Sequence, residues 1–357
     1  MRRVTLKDLA RQAGVSHTAV SMALRGSEAV GPELATRLRR LAAEAGYSPR
    51  LAAQHLRVGR TGQVGIVMAI RDARTAFGAP SLSSLLGAVV WECDRAGRRY
   101  VLEFTQSGSG DPFVPPSQVT GQTVDGTILT GDTGDSLRDW LAARGGYPWI
   151  SIEEPAPYCV AGRMDAGIGE AVDRLVAAGH RRIAYAGGPQ VYQTHRLGLR
   201  GFEEARQRHS LPLPDDWVRL FDGRPGDGRV TESYEWASVL LRRPARPTAF
   251  VCHGVALARN AIFAACEAGL AVPDALSVVS CGPTQIAHLY HPRLTTIELD
   301  CASMTREAME LWGALVDGLP AGPPQRWVAP RLVEGETVGP APAVRGTRRS
   351  KRLPRGH

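Results

Sequence analysis

The chain predicts an α/β fold, in which an all-α helix-turn-helix head precedes a two-lobed core of doubly wound parallel sheets. Three observations carry this expectation. The first 46 residues hold three short apolar stripes of helical period, whereas from Val64 onward short β-rich apolar runs alternate with amphipathic stretches of helix length. The length of 357 residues asks for two or three domains rather than one. Hydrophobic residues at 43% and charged residues at 22% match ordinary globular usage, so most of the chain can bury a core.

Thr5-Leu6-Lys7-Asp8 has the form of a capping box and starts a first helix in which Leu6, Leu9, Ala10 and Ala13 make one stripe. Gly14 turns the chain at positive φ, and Val15 follows as an apolar plug. Ser16 caps a second helix, with Val20, Ala23 and Leu24 inward and His17, Thr18, Ser21, Met22 and Arg25 outward. Pro32 opens a third helix, which carries Leu34, Leu38, Leu41 and Ala45 on one side and closes at Gly46. Two short helices joined by a glycine turn make either a helix-turn-helix or an ordinary hairpin. The small Ala10 at the crossing and an outward face of small polar side chains suited to base edges favour a reader of double-stranded DNA. Thr5, Ser16, His17, Thr18, Ser21, Met22, Arg25 and Tyr47 are then its candidate contacts, and Arg2, Arg3, Lys7 and Arg50 suit phosphates, which position without specifying.

The charge distribution supports this division. The formal net charge is +8, but residues 1–60 alone carry +7 and residues 340–357 carry +6, which leaves residues 61–339 at −5. The basicity lies at the two ends.

In the core, the strands are expected at Val64 to Ile70, Tyr100 to Phe104, Gly126 to Thr130, Trp149 to Ile152, Arg182 to Ala186, Thr248 to Cys252 and Ser277 to Cys281. The helices between them are expected at Ser83 to Arg95, Ile168 to Ala178, Arg196 to Arg208, Glu232 to Leu241, Ala256 to Ala268 and Thr305 to Val316. Such βαβ units give parallel sheets with a ligand cleft at the carboxyl ends of the strands. No P-loop, GxSxG or HExxH is present, so nothing argues for an enzyme, a cofactor or a metal.

The motifs Thr5 to Ala10, Ala13 to Ser21 and Gly46-Tyr47-Ser48-Pro49, continued by Leu51 to Arg57 and Gly59-Arg60-Thr61, resemble the head and hinge of the LacI/GalR family of bacterial transcription regulators. Val124-Asp125-Gly126, Gly179 to Ala184, Gly187-Gly188-Pro189 with Arg196 and Gly201-Phe202, Glu267 to Leu270, Val272-Pro273, Leu276 to Val279 and Leu294 to Ile297 resemble its periplasmic-binding-protein-like core. The resemblance implies a head over residues 1–48, a hinge over 49–61 and an effector-binding and dimerisation core over 62–339; the basic, Pro/Gly-punctuated composition of 340–357 reads as a disordered tail. The resemblance also implies a repressor that binds a palindromic operator as a homodimer. Its hinge helices meet in the minor groove, where Leu56 wedges into the central base step; Arg50 and Ala53 are further candidate DNA contacts of this segment. The plain alternative for Leu56 is one more core leucine. Met22 and Ala19 stand where the family usually has arginine and threonine, so the operator is expected to differ at the matching base.

The cleft departs further. His253-Gly254 stands where sugar-binding members usually have Asn-Asp, and Cys281-Gly282-Pro283 where they have an aromatic and two aspartates. Phe77, Glu153, Arg196, His253 and Gly282 are the candidate effector contacts, Phe77 being as well explained by packing. Arginine and histidine with fewer carboxylates suggest an anionic or carboxylated effector, and a degenerate pocket without any effector stays open. Cys252, His253 and Cys281 raise a thiol sensor or a metal site, against which buried apolar cysteines are the plainer reading. His180 reads as a structural residue of a helix-to-strand turn. Pro112, Pro115 and Pro116 fall where the family has a helix, which should be trimmed.

The rival reading is a solute-binding or enzymatic core with an incidental head. An N-terminus without an apolar leader, six scattered cysteines and no apolar run of membrane length predict a cytoplasmic, nucleoid-associated protein with no membrane partner. The 340–357 tail is expected to add salt-sensitive, non-specific DNA affinity.

Overall fold

The computed structural model describes residues 4–24, 27, 29–47, 60–70, 80–106, 113–131, 133–212, 214–221 and 230–342. The chain divides into two compact units, Met1–Gly62 and Gln63–His357.

The first unit is built by local signals. Helix α1 (Leu6–Ala13) starts at the expected capping box: Asp8 N–H donates to Thr5 Oγ1 (3.3 Å) and Thr5 N–H to Asp8 Oδ2 (2.9 Å). It ends at Gly14 with φ +67°. Helix α2 (His17–Leu24) is capped by Ser16, whose Oγ accepts from Ala19 N–H (3.1 Å). Helix α3 (Pro32–Glu44) has Pro32 in its first turn, and the chain turns out of it at Gly46, φ +61°. Leu9, Ala10, Ala13, Val20, Ala23, Val30, Ala35, Leu38 and Ala42 make one small buried core. Arg39 Nε donates to Ala23 O (3.3 Å), satisfying a carbonyl at the open end of α2.

The second unit holds two sheets. Strands β1 (Gln63–Ile70), β2 (Arg99–Gln106), β3 (Gly126–Gly131), β4 (Trp149–Ile152), β5 (Cys159–Gly162) and β11 (Gln325–Val328) form an all-parallel sheet in the order β11-β5-β4-β3-β1-β2. Strands β6 (Ile183–Gly187), β7 (Val218–Leu220), β8 (Ala249–Cys252), β9 (Ser277–Cys281), β10 (Thr295–Glu298) and β12 (Arg331–Val333) form the other in the order β12-β10-β9-β8-β6-β7, only β12 running antiparallel. The expected strands are all present, whereas β5, β7, β10, β11 and β12 were not anticipated as strands.

Helices α4 (Pro80–Arg95), α5 (Ser117–Thr120), α6 (Gly134–Ala142) and, from the far end of the chain, α12 (Cys301–Asp317) belong to the first lobe. Met304, Ala308, Leu311 and Trp312 of α12 pack with Val64, Ile66, Val89, Ile128 and Ile150. Helices α7 (Met164–Ala177), α8 (Gln193–Arg208), α9 (Val230–Leu241), α10 (Val255–Glu267) and α11 (Thr284–Ala287) belong to the second. The four-residue α5 starts directly after Pro115 and Pro116, as the prolines require.

The chain passes between lobes three times, after β5, β10 and β11, each time from the carboxyl edge of a sheet. The crossings touch. Arg163 N–H donates to Val328 O (2.8 Å), and a Cβ on Gly162 would meet Leu299 Cδ2 at 2.2 Å. The carboxyl edges of the two sheets therefore face each other across a cleft, as an α/β ligand site requires. Backbone order continues to the amino edge of the second sheet, where fully buried His180 places Nδ1 2.9 Å from Thr248 Oγ1 and Nε2 3.0 Å from Ser277 Oγ. His180 is thus a structural residue of its helix-to-strand turn, and it is fully buried there. Among the described residues no helix is long and apolar enough to cross a membrane.

Candidate functional site

Two faces concentrate chemistry-bearing side chains. On the head, Thr5, Ser16, His17 and Thr18 are exposed along the start of α1 and α2, and Lys7 beside them is exposed too. This is a surface of hydroxyls, one imidazole and one ammonium with no carboxylate of its own except Asp8, which the capping box already engages. Ser21 is half-buried. Met22 corrects the expectation of a freely outward side chain: it is half-buried and rests against the head core, because an unbranched thioether gains more from apolar contact than from water. Tyr47 is likewise half-buried against that core. Arg25, Arg50, Ala53 and Leu56 lie outside the described residues, as do Arg2 and Arg3.

In the second unit Glu153 stands at the carboxyl end of β4 in the first lobe, and His253 and Gly282 at the carboxyl ends of β8 and β9 in the second, whereas Phe77 lies outside the described residues. Glu153 follows β4 with φ +77°, and its Oε1 accepts from Gly162 N–H (3.0 Å) at the first crossing. Burial, reinforced by the neighbouring Glu154 and only partly opposed by the Gly162 N–H, pushes its carboxyl up to about 7. His253 and Gly282 follow the adjacent strands β8 and β9. His253 is buried, its Nδ1 3.3 Å from Tyr185 Oη, and Gly198 of α8 packs so close that a Cβ there would meet Nδ1 at 2.4 Å.

Three residues that sequence reasoning passed over complete the cleft. The His195 ring lies against His253, tilted by 40° with centroids 4.1 Å apart, and Tyr192 lies 5.9 Å from His195. Burial pulls His195 down to about 4, and burial together with His195 holds His253 well below the ordinary imidazole range, so both rings are neutral near pH 7. Glu154 is 6% exposed, and its Oε1 accepts from Gln193 N–H (3.2 Å), a contact from the first lobe to the start of α8 in the second. The carboxylate doublet after an apolar strand, and a histidine directly before Arg196, were the available signals.

Arg196 corrects the basis of the anion expectation. It is exposed, and its Nη1 donates to Gln190 O (2.9 Å) and Val191 O (2.7 Å), closing the loop after β6. Glu153 keeps the carboxylate expected after β4, and Glu154 adds a second one beside it. Cys252 and Cys281 are buried, and burial pushes both thiols up, so they stay protonated and do not make a sensor. Among the described residues no group of three or more His, Cys, Asp or Glu side chains is placed to hold a metal.

Glu153 yields a signed pH effect. Its folded pKa near 7 exceeds the ordinary 4.5, so the folded state binds this proton more tightly and stability falls as pH rises through that interval. Glu153→Gln is expected to raise the core's Tm relative to wild type at pH 8 and to leave it unchanged at pH 4, as differential scanning fluorimetry would read; equal shifts at both pH values would contradict the assignment.

Two family models match the chain, one described as bacterial regulatory proteins, lacI family, over residues 5–50, and one as a periplasmic binding protein-like domain over residues 172–338. The HTH-type transcriptional repressor PurR of Escherichia coli (strain SMS-3-5) is 27% identical over 349 residues, covering 95% of this chain and 98% of that one, and PurR of Shigella boydii serotype 18 matches equally. The lac repressor dimer bound to operator and the anti-inducer ONPF shares the fold at TM-score 0.80 and 23% identity, covering 95% of this chain and 100% of that chain. The CelR–cellobiose complex aligns at TM-score 0.66 and 25% identity, covering 94% and 100%. With its helix-turn-helix head and binding-protein-like core, the chain belongs to the LacI family of bacterial regulatory proteins and is a DNA-binding transcriptional regulator, not an enzyme.

Proposed function

We propose that the protein is a repressor that reads a symmetric operator as a homodimer, in the cytoplasm where the chromosome lies, and that a small molecule in the interlobe cleft changes its DNA affinity. The observation that carries this reading is the exposed polar start of α2, with His17 and Thr18, on a head that has its own core. His17, Thr18 and Ser21 would meet base edges, with Thr5, Ser16 and Lys7 on the backbone, and Leu56 would act as the hinge wedge with Arg50 and Ala53 beside it. Dimerisation is supported by apolar side chains left on the first lobe: Trp91 of α4 is 67% exposed, and Tyr100 and Phe104 lie half-open on the edge strand β2. PurR is a repressor, and the lac repressor neighbour is a dimer on operator.

Footprinting on the DNA upstream of its own gene tests the reading. The wild type is expected to protect a symmetric site, and His17→Ala to lose about 1–3 kcal/mol of discrimination. Uniform coating that fades with salt would refute it.

For the cleft, the geometry favours an uncharged, hydrogen-bonding ligand. Two neutral imidazoles, a carboxyl near its midpoint and the Glu154 carboxylate lie at the strand ends and helix start where the lobes approach, while Arg196 is occupied by backbone carbonyls. An anion would meet carboxylates there without a free cation among these contacts. In a thermal-shift screen of the full chain, neutral sugars and heterocycles are expected to raise the core's Tm. A rise with sugar phosphates or carboxylates alone would restore the anionic reading, and no rise with any class would favour a repressor without an effector.

A further inference from the structure

Helix α8 begins without a cap of its own. Its sixteen residues follow Tyr192, whose side chain makes no capping bond, and no acidic residue stands in its first turn. The opening N–H groups of a helix have no partner inside it, and the aligned peptide dipoles favour a negative charge beside them. That charge comes from the other lobe. Glu154 follows β4, is 6% exposed, and its Oε1 accepts from Gln193 N–H (3.2 Å), the first residue of α8.

Both ends of this contact are fastened to their own lobes. On the first, Pro155 restricts the backbone of Glu154. Glu154 O accepts from the Cys159 thiol (3.2 Å), Pro155 O from Arg138 Nη1 (3.2 Å), and Glu153 N–H donates to Val160 O (2.9 Å). On the second, Arg196 ties the loop before α8 through Gln190 O and Val191 O, and Leu197, Phe202 and Ala205 sink into the core. A relative movement of the lobes at this point must therefore break the bond. His195, two residues further on, lies against His253, so the same helix start carries one of the two imidazoles.

We infer that Glu154 is an interlobe latch: its carboxylate, carried by the first lobe, caps α8 of the second and holds the lobes together when no small molecule is bound. The inference rests on the reading of the cleft as an effector site, and it names the contact that an effector must accommodate or release. Gln193→Pro removes the bond without touching the carboxylate. Proline suits the first position of a helix, and Tyr192, with φ −86° and ψ +134°, already has the backbone that a residue before proline prefers. Gln193→Ala is the control, because it removes the same side chain and keeps the N–H.

Spin labels on Cys266, exposed on α10 of the second lobe, and on Glu310→Cys of α12 in the first would report the lobe separation by double electron–electron resonance. The full chain is used with Cys301→Ala, free of ligand and DNA, and diluted with unlabelled chain so that distances within one chain dominate. One narrow distance is expected in this parent and in Gln193→Ala. Glu154→Ala and Gln193→Pro should each add a longer distance, the closed-to-open ratio falling at least about tenfold, as for loss of a hydrogen bond to a charged group. The double variant should open no further than either single one, and Glu154→Gln, which keeps an accepting oxygen, should fall between. A parent already spread over both distances, an unchanged distance in Glu154→Ala, or additive opening in the double variant would each overturn the latch. The same chains are then titrated with an operator selected from a random duplex pool. Opened chains that bind it as the parent does would end the reading that the lobes govern DNA affinity while leaving the latch in place.

Discussion

Leu38→Ala is expected to unfold the head and reduce operator binding at least about tenfold while the core's thermal transition stays in place. Leu38 is 1% exposed where α3 meets α1 and α2, in a core whose other members are mostly alanines. Removing a buried leucine side chain costs about 2–5 kcal/mol. A domain this small rarely holds more than about 3–5 kcal/mol in total, so the loss takes most or all of it. Circular dichroism melts should show the head's transition lowered or missing. A simultaneous drop in the core's transition would show that the two units do not fold independently.

The second large effect is expected in the core, where Gly201→Ala should destabilise by about 3 kcal/mol and lower Tm by about 6–12 °C. Helix propensity alone favours alanine by about 1 kcal/mol, so the sign rests on contact. A Cβ at Gly201 in α8 would lie 2.2 Å from Asp165 O and 2.7 Å from Asp165 Cα, both backbone atoms of α7 that cannot rotate away. The helices would have to separate beside the Asp165 carboxylate. Burial alone would raise that group's pKa, but bonds from Arg163 (2.9 Å) and Arg200 (2.7 Å) outweigh burial and hold it at about 2. Gly169→Ala in α7 is the control: its Cβ would meet only Arg208 Nη2 at 3.9 Å, and no loss is expected. Equal losses in the two variants would mean that helix packing is not the cause.

The head was legible because its determinants are local. Thr5 with Asp8, Gly14, Ser16 and Pro32 each act within four residues, and the structure places them as their chemistry demands. The anticipated strands were legible from their own β-rich residues and the helix-length stretches between them, β1 most plainly as a buried apolar run. Strand β11 was not, because Gln325–Val328 is too short for a period and becomes a strand only by pairing with Cys159–Gly162, far back in the chain. Strands β5, β7, β10 and β12, of three or four residues, share that dependence.

The cleft was half legible. Strand ends at Cys252, Cys281 and Ile152 predicted where His253, Gly282 and Glu153 would emerge. Sequence could not show that Glu154 reaches α8 of the other lobe or that His195 lies against His253, since both depend on how close two distant segments approach. Arg196 misled because its partners are the carbonyls of its own preceding loop, which a list of side chains does not reveal.

The triple passage between lobes also bears on the order in which the protein becomes competent during synthesis. The first lobe's core is closed by Met304, Leu311 and Trp312 of α12 and its sheet by β11, so neither lobe is complete until the ribosome has passed residue 330. The head needs only the first 47 residues. For most of translation a nascent chain therefore presents a folded DNA-reading head with no finished core behind it. Prematurely terminated chains would keep that head without the cleft, which gives quality control a reason to act on them.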